Sequence, residues 1–191
     1  MKTLKKNTLK TLLNISLMVM VLTACGQANN TSKAKSEVEP PEVDLQTAVM
    51  SGNLAAVKQH IDAGSNLNAK EAFSGSTPLA SAATFNKIEI AKALIDAGAD
   101  LSIKNNDGAT ALHGAAFFCR VEIVQMLIDA KADKTLRNSF GLTARESVMG
   151  PFANVKPVYE LMQQQLGPLG LQLDMEALEK ARPVIAMMLQ D

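Results

Sequence analysis

The middle of this 191-residue chain repeats one pattern of apolar and polar positions at an interval of about 33 residues. Residues 77–83 return, altered, as residues 110–116, and residues 94–100 return as residues 127–133. The first segment of each pair predicts a short helix of small residues, and the apolar spacing that leads into the second predicts another helix. A fixed period of this length predicts stacked helix–turn–helix units that bury their apolar faces against one another.

Each predicted unit begins with a turn and a helix start signal. Gly75, Gly108 and Gly141 follow one another at intervals of 33 residues, just ahead of the first helix. Thr77 can accept a hydrogen bond as an N-cap, and Pro78 suits the first helical position because the missing N–H has no helical partner there. The pattern therefore indicates a turn, a first helix and a second helix in each unit.

These residues resemble the ankyrin repeat, whose signature is a turn, then T-P-L-H-x-A, then two antiparallel helices. The resemblance implies an all-α fold, an ankyrin-repeat solenoid of three to four helix-turn-helix repeats with β-turn fingers. The repeats are expected at residues 42–74, 75–107, 108–140 and, as a partial copy, 141–149. The third copy departs from the pattern at Cys119 and Lys131, which stand where glycine is usual.

Residues 150–191 do not continue the repeat. Apolar residues at helical spacing between Val155 and Leu166 predict one helix, and Asp174 looks like the N-cap of another, in which Pro183 predicts a kink or a restart. Because the open end of a stacked array is apolar, we expect this segment to be a C-terminal helical cap. The alternative is that its methionines form a pliable partner site.

The first 24 residues have the order of a secretory signal, with lysines, then an apolar run, then small residues. The ending before Cys25 resembles the bacterial lipobox, which implies cleavage at residue 24 and lipidation of Cys25. The alternative is an ordinary signal peptide. Residues 25–41 are too polar to form a core and predict a disordered tether. Gly26, by the same resemblance, favours the outer membrane facing the periplasm within the cell envelope.

Charge and cysteine content narrow the function further. Removal of residues 1–24 takes away four lysines and leaves 15 basic against 19 acidic residues. This balance argues against nucleic acid and against an anionic lipid surface as the main partner, so the membrane is contacted through the lipid anchor only. Cys119 then has no cysteine for an intrachain disulfide. It is interpreted as a half-buried small residue, with a redox-sensitive or intermolecular thiol as the alternative.

No residue spacing typical of a catalytic set, a metal site or a phosphate-binding loop occurs in the chain. His113 stands at the histidine of the repeat motif, which in the family ties adjacent repeats by hydrogen bonds. His60 lies on a predicted second helix and is expected to be packed. We therefore predict a protein that is not an enzyme and uses no cofactor and no metal.

The resemblance also implies where a protein partner would bind, at the finger tips and on the exposed face of the first helices. Five of the six phenylalanines stand at positions that vary in the family. Phe85, Phe117 and Phe118 are hypothesised to anchor the partner; the alternative is that the C-terminal tail folds back over some of them. The predicted partner-binding residues are Met50, Lys70, Phe73, Thr84, Phe85, Lys104, Asn106, Asp107, Phe117, Phe118, Arg137 and Phe140.

The sequence thus predicts a monomeric, non-enzymatic protein–protein interaction module, anchored by lipid in the bacterial envelope and bound to an unknown periplasmic protein. Two more specific roles stay open: an immunity or neutralising protein against a periplasmic toxin, and an accessory factor in envelope or oxidative-stress defence. An enzyme with an unrecognised site is the remaining alternative.

Overall fold

The computed structural model describes residues 39–190. The predicted signal peptide, Cys25 and most of the predicted tether lie outside the described residues. All regular structure within residues 39–190 is helical, so the predicted all-α class is confirmed. None of the helices in this range is both long enough and apolar enough to cross a membrane.

Six helices form three successive pairs, which we call repeats 1, 2 and 3. The bounds are α1 Leu45–Ser51 and α2 Leu54–Asp62, α3 Pro78–Thr84 and α4 Ile88–Asp96, and α5 Ala111–Phe117 and α6 Val121–Asp129. A loop that we call a finger follows each pair: finger 1 (residues 66–76), finger 2 (100–109) and finger 3 (133–142). The helix starts follow the sequence signals, since the Thr77 side chain accepts a hydrogen bond from the Ala80 N–H at 3.2 Å, with Pro78 at the first helical position.

The tail, residues 150–190, follows a fourth unit that is reduced to a 3₁₀ turn at Glu146–Val148. It contains α7 Phe152–Leu166, a 3₁₀ turn at Gly167–Leu169 and α8 Met175–Met188. Asp174 caps α8 as the sequence predicts. The sequence predicted a kink or a restart at Pro183, and the helix does not restart there. Pro183 leaves the Glu179 carbonyl without its helical partner, and both residues are exposed.

The core runs through all three repeats, and small side chains on the first helices make the stacking possible. Ala48, Ala82 and Ala115 are fully buried between neighbouring helices, where a larger side chain would force the helices apart. Larger aliphatic residues of the second helices, such as Leu94 and Leu127, fill the space behind them. The apolar stripes predicted from helical spacing therefore face one continuous core.

Two turns in each repeat require a left-handed backbone. The turn that follows each first helix has positive φ at Gly52, Asn86 and Cys119. The turn that follows the second helix of repeat 3 has φ of 66° at Lys131. Cys119, with φ of 51°, and Lys131 therefore occupy the conformation that glycine adopts most readily, as the departures from the repeat pattern indicated.

The stack is closed at its far end by residues of the reduced fourth unit and of α8. Ala144 and Val148 are buried, and Ile185 of α8 and Leu189, the residue that follows α8, join the same core. The Arg145 side chain, which stands where a leucine would continue the repeat, donates from Nε to the Ala186 carbonyl at 3.1 Å. An apolar helix face thus covers the end of the array.

At the other end, the described chain begins alongside α2. The Gln59 side chain donates to the Glu39 carbonyl at 3.2 Å, and Nε2 of His60 donates to the Val43 carbonyl at 2.8 Å. Nδ1 of His60 lies 2.9 Å from the Ser65 hydroxyl. His60 is buried, as the sequence predicted, and it fixes the entry of the chain into repeat 1.

Candidate partner-binding surface

The three fingers are built by the same local hydrogen bonds. In each finger, one backbone N–H donates across the loop to a carbonyl four or five residues ahead, and the N–O distances lie near 3 Å. The three bonds join Glu71 to Ser76 at 3.0 Å, Asn105 to Ala109 at 2.9 Å, and Asn138 to Leu142 at 2.9 Å. Each finger is therefore a closed turn.

One side chain at the base of each finger organises its tip. Oδ1 of Asn105 accepts from the N–H groups of Asp107 at 3.0 Å and Ala109 at 2.9 Å, and Asn138 does the same in finger 3. In finger 1 the carboxylate of Glu71 takes this role and accepts from the Phe73 N–H at 2.7 Å. Its hydrogen bond with the Ser74 hydroxyl is the main cause that lowers the pKa of Glu71. Sequence reasoning missed Glu71, which stands in finger 1 where the other two fingers have asparagine.

Neighbouring fingers are hydrogen-bonded to each other. The Asn106 N–H donates to the Ser74 carbonyl, and the Ser139 N–H donates to the Asp107 carbonyl, both at 2.9 Å. Two predicted contact residues strengthen this link, since the Asn106 side chain donates to the Phe73 carbonyl at 3.0 Å and Lys104 Nζ donates to the Arg137 carbonyl at 2.9 Å. Asn106 and Lys104 thus hold the fingers in register.

The finger tips carry the most exposed large apolar side chains of the described residues. Phe73 is 94% exposed in finger 1 and Phe140 is 77% exposed in finger 3. Lys70 and Asp107 are exposed beside them. Arg137 is exposed as well, but it is held by an ion pair with Glu146 at 2.7 Å and by the Gly141 carbonyl at 2.6 Å. The predicted finger residues therefore form an accessible surface on a fixed backbone.

The predicted residues on the first helices are placed differently. Met50 and Thr84 are half-buried, and the Thr84 hydroxyl donates a hydrogen bond to the Ala80 carbonyl at 3.1 Å. Phe85 and Phe117 are half-buried, and Phe118 is only 6% exposed. The tail covers Phe118 and packs against Phe85 and Phe117, which favours the alternative that the sequence left open, in which the tail folds back over some of them.

The cover forms an aromatic cluster around Tyr159 of α7, which is fully buried. The ring centroids of Phe117 and Tyr159 are 4.7 Å apart, and Phe152 stacks on Tyr159 at 5.9 Å. Phe118 meets Phe117 edge to face at 5.1 Å. Such offset and edge contacts stabilise an aromatic group beyond the area that it buries. We call Phe85, Phe117, Phe118, Phe152 and Tyr159 the aromatic cluster.

A buried arginine completes the polar contacts of this cluster. The Tyr159 hydroxyl donates to the Phe117 carbonyl at 2.6 Å and accepts from Nη1 of Arg182 at 2.9 Å. Arg182 is 3% exposed, and its Nη2 donates to the Gly150 carbonyl at 3.2 Å. Sequence reasoning missed both Tyr159 and Arg182, which meet between the two helices of the tail.

Burial sets the protonation of the tyrosine and the cysteine at this junction. It raises the pKa of Tyr159 to about 12, against the opposing effect of the Arg182 charge. It likewise raises the pKa of Cys119 to about 11. A thiol that stays protonated at neutral pH is a poor nucleophile, so the interpretation of Cys119 as a half-buried small residue is favoured over a reactive thiol.

His113 connects repeat 3 to the reduced fourth unit. Its Nε2 donates to the Leu142 carbonyl at 3.1 Å, and its Nδ1 lies 2.9 Å from the Thr110 hydroxyl. Because a carbonyl can only accept, Nε2 carries the ring proton. Burial is the main cause that lowers the pKa of His113. The tie between adjacent repeats that the motif implied is therefore present.

Two open clefts, each of about 420 Å³, lie where the tail meets the array. One is lined by Cys119, Arg120 and Asp174, among others, and the second by Arg145 and Arg182. Within residues 39–190, no group of three or more histidine, cysteine or acidic side chains could hold a metal ion. Cys119 is the one cysteine among the residues that line the two clefts, and burial raises the pKa of its thiol to about 11.

Comparisons with known proteins agree with this architecture. Residues 45–138 match the sequence family described as "Ankyrin repeats (3 copies)". The solved ankyrin repeat domain of Bcl-3, which is described as a unique member of the IkappaB protein family, superposes with a TM-score of 0.52 at 26% sequence identity. The match covers 54% of this chain and 45% of that one, so this chain spans less than half of the related structure. No curated protein sequence matches this chain.

Proposed function

We propose that this protein acts by binding another protein, with the finger tips as the contact surface, because residues 45–138 match the ankyrin-repeat family. Arrays of this kind present extended surfaces to their partners and do not enclose a substrate. The observation that carries the proposal is the exposure of Phe73 and Phe140 on hydrogen-bonded loops. The protein is not an enzyme in this proposal, and it acts as a monomer.

Rigid tips make these phenylalanines suitable anchors. Aromatic residues dominate the binding free energy of many interfaces when they enter a pocket of the partner. The loops beneath Phe73 and Phe140 are already fixed by Glu71 and Asn138, so little backbone entropy is lost on binding. The exposed Lys70 and Asp107 lie beside the aromatic tips and supply charges of both signs for the rim of the interface.

In-cell photocrosslinking tests the surface directly. A photoreactive phenylalanine analogue at position 140 should give a discrete crosslinked species, because this side chain would lie within the interface. The matched control is the same analogue at Gln125, which is exposed on α6. Equal crosslinking from both positions, or none from position 140, would contradict the proposal.

The captured protein would also separate the specific roles. A toxin that enters the periplasm would favour the immunity role, and a component of peroxide or envelope defence would favour the stress role. Turnover of a substrate by the purified protein would show that the non-enzymatic assignment is incorrect.

We further propose that Cys25 is lipidated and that the protein is anchored in the cell envelope, at the outer membrane facing the periplasm. The order of lysines, apolar residues and small residues ahead of Cys25 supports this, as does the polar stretch that follows. More than one acyl chain is needed for stable anchoring, which the implied triple acylation would provide. A Cys25→Ser protein that still fractionated with membranes and still lost its signal peptide would refute it.

A further inference from the structure

Helix α7 is not required to close the stack. The apolar residues that seal the end of the array, Ile185 and Leu189, lie in α8 and directly after it, and they join the core of the repeats. Helix α7 instead packs into a separate cluster with Phe118, Leu171 and Leu178. It therefore covers a surface of the array without being part of the cover over its end.

The attachment of α7 to the array is narrow. Tyr159 is its only fully buried residue, and the other members of its inner stripe are partly buried. The opposite face leaves Val158 42% and Leu161 51% exposed. Helix-breaking glycines and prolines at residues 150–151 and 167–170 bound α7 on both sides. Its chain connections therefore let it move once its contacts with Arg182 and Leu178 of α8 are broken.

The inner stripe of α7 has a regular pattern. The residues that face the array recur at alternating intervals of three and four, which is the spacing of a helix that packs along one seam. They are Phe152, Val155, Tyr159, Met162 and Leu166. The surface beneath is thereby shown to accept an amphipathic helix that carries aromatic side chains.

That surface contains Phe85, Phe117 and Phe118, which lie at the ends of the first helices of repeats 2 and 3. We propose that α7 is a displaceable internal ligand, and that a partner protein inserts an amphipathic helix of the same aromatic pattern in its place. The inference rests on the proposed binding function and names the binding element of the partner. An external helix competes with a tethered one whose effective concentration is on the order of millimolar, so weakening α7 must strengthen external binding.

A labelled synthetic peptide of residues 151–167 serves as the probe, with the full-length protein in detergent. Tyr159→Ala in the protein removes the centre of the α7 stripe, and we expect the peptide to bind this variant at least about tenfold more tightly than the wild type. The matched control is Val158→Ala, on the exposed face of the same helix, which should bind the peptide like the wild type. A peptide that itself carries Tyr159→Ala should not bind.

Alkylation of Cys119 gives a second readout, measured on the proteolytic peptide that contains it. Cys119 packs against the same cluster as Tyr159, so displacement of α7 uncovers the thiol on that side. We expect faster alkylation in Tyr159→Ala and protection when the peptide is added. If Tyr159→Ala loses the helical signal of the repeats, Tyr159→Phe decides the question, since it removes only the hydroxyl contacts and should show a smaller increase in the same direction.

Equal binding of the peptide to all variants, or no binding to any, overturns the internal-ligand proposal. Such a result together with intact crosslinking from position 140 leaves the proposed finger-tip function standing. The opposite result is peptide binding to Tyr159→Ala together with no crosslinking from position 140. It supports the displaced helix and removes the finger tips as the contact surface.

Discussion

At the scale of single residues, glycine in a finger meets two separate demands. Gly108 has φ of 68°, and a Cβ at this position would lie 2.8 Å from the Ser139 backbone nitrogen of the next finger. Gly141 has a similar φ of 75°, but open space surrounds its missing side chain. The two positions therefore separate the cost of a left-handed backbone from the cost of crowding between fingers.

Gly108→Ala should destabilise the protein more than Gly141→Ala. The left-handed conformation costs an alanine about 1–2 kcal/mol at either position. At Gly108 the clash with a backbone atom adds about 1–3 kcal/mol, because the neighbouring finger must move. Urea unfolding followed by circular dichroism gives both free energies. Equal losses would show that the fingers are looser than their hydrogen bonds indicate.

A gain in stability is expected from the opposite substitution, to glycine, at Lys131. Its side chain is exposed and its backbone has φ of 66°. Lys131→Gly removes a backbone strain of about 1–2 kcal/mol from the folded state. It also costs about 0.5–1 kcal/mol of stability, because glycine raises the conformational entropy of the unfolded chain. The free energy of unfolding should therefore rise by roughly 0.5–1 kcal/mol. Lys131→Ala keeps the strained backbone and serves as the control. A gain from both substitutions would point to the lost charge as the cause.

At the scale of elements, the two tail helices act on different parts of the array. Helix α8 contributes Ile185 to the main core, and the same helix leaves Met187 65% exposed. Helix α7 contributes Tyr159 to the aromatic cluster. Of the two tail helices, α8 thus caps the array, whereas both contribute to the cover, since Leu178 and Arg182 of α8 contact Tyr159 as well.

Ile185→Ala should therefore destabilise the array by about 2–5 kcal/mol, since it opens a cavity in a fully buried site. Met187→Ala, two residues along the same helix, should change stability by no more than about 0.5 kcal/mol. Thermal unfolding at one protein concentration compares the two variants. A small effect of Ile185→Ala would mean that the reduced fourth unit alone closes the stack.

The same division explains what the sequence could and could not predict. The repeats were predictable because each depends on local signals, such as Thr77 at a helix start and Ala82 at a close contact. The cover over Phe118 was left as an alternative, because it depends on Tyr159, which lies 41 residues further along the chain. The apolar spacing of α7 included Val158, which proved to face outward. The alternating three- and four-residue spacing that includes Tyr159 was the signal that could have identified the inner face.

At the scale of the whole molecule, His113 joins the last full repeat to the closing unit. Burial holds the pKa of His113 below its ordinary value of 6.5, so the unfolded chain takes up this proton first on acidification. The contribution of the neutral ring to stability is therefore complete above about pH 6.5 and declines as the pH falls toward and through the folded-state pKa. Because each repeat contacts only its neighbours, loss of this tie loosens the closed end first.

The urea midpoint of the wild type should accordingly fall between pH 7 and pH 5. His113→Gln, which cannot gain a proton, should show a flatter profile over the same range even if it is less stable throughout. The carboxyl groups with lowered pKa, such as Glu71 and Glu146, lose their contribution only at more acidic pH. Parallel profiles for the wild type and the variant would assign the pH dependence to other groups.

The attachment of the incoming chain along α2 has a mechanical consequence. A force applied to the chain ahead of residue 39 enters the fold through the Glu39 and Val43 carbonyls, which Gln59 and His60 hold. It reaches repeats 2 and 3 only through repeat 1, since stacked repeats contact their neighbours alone. We therefore expect repeat 1 to unfold first under an applied force. Residues 39–74, once extended, span up to about 120 Å. Fingers 2 and 3 would stay folded while the chain lengthens, whereas finger 1, with Phe73, would be lost.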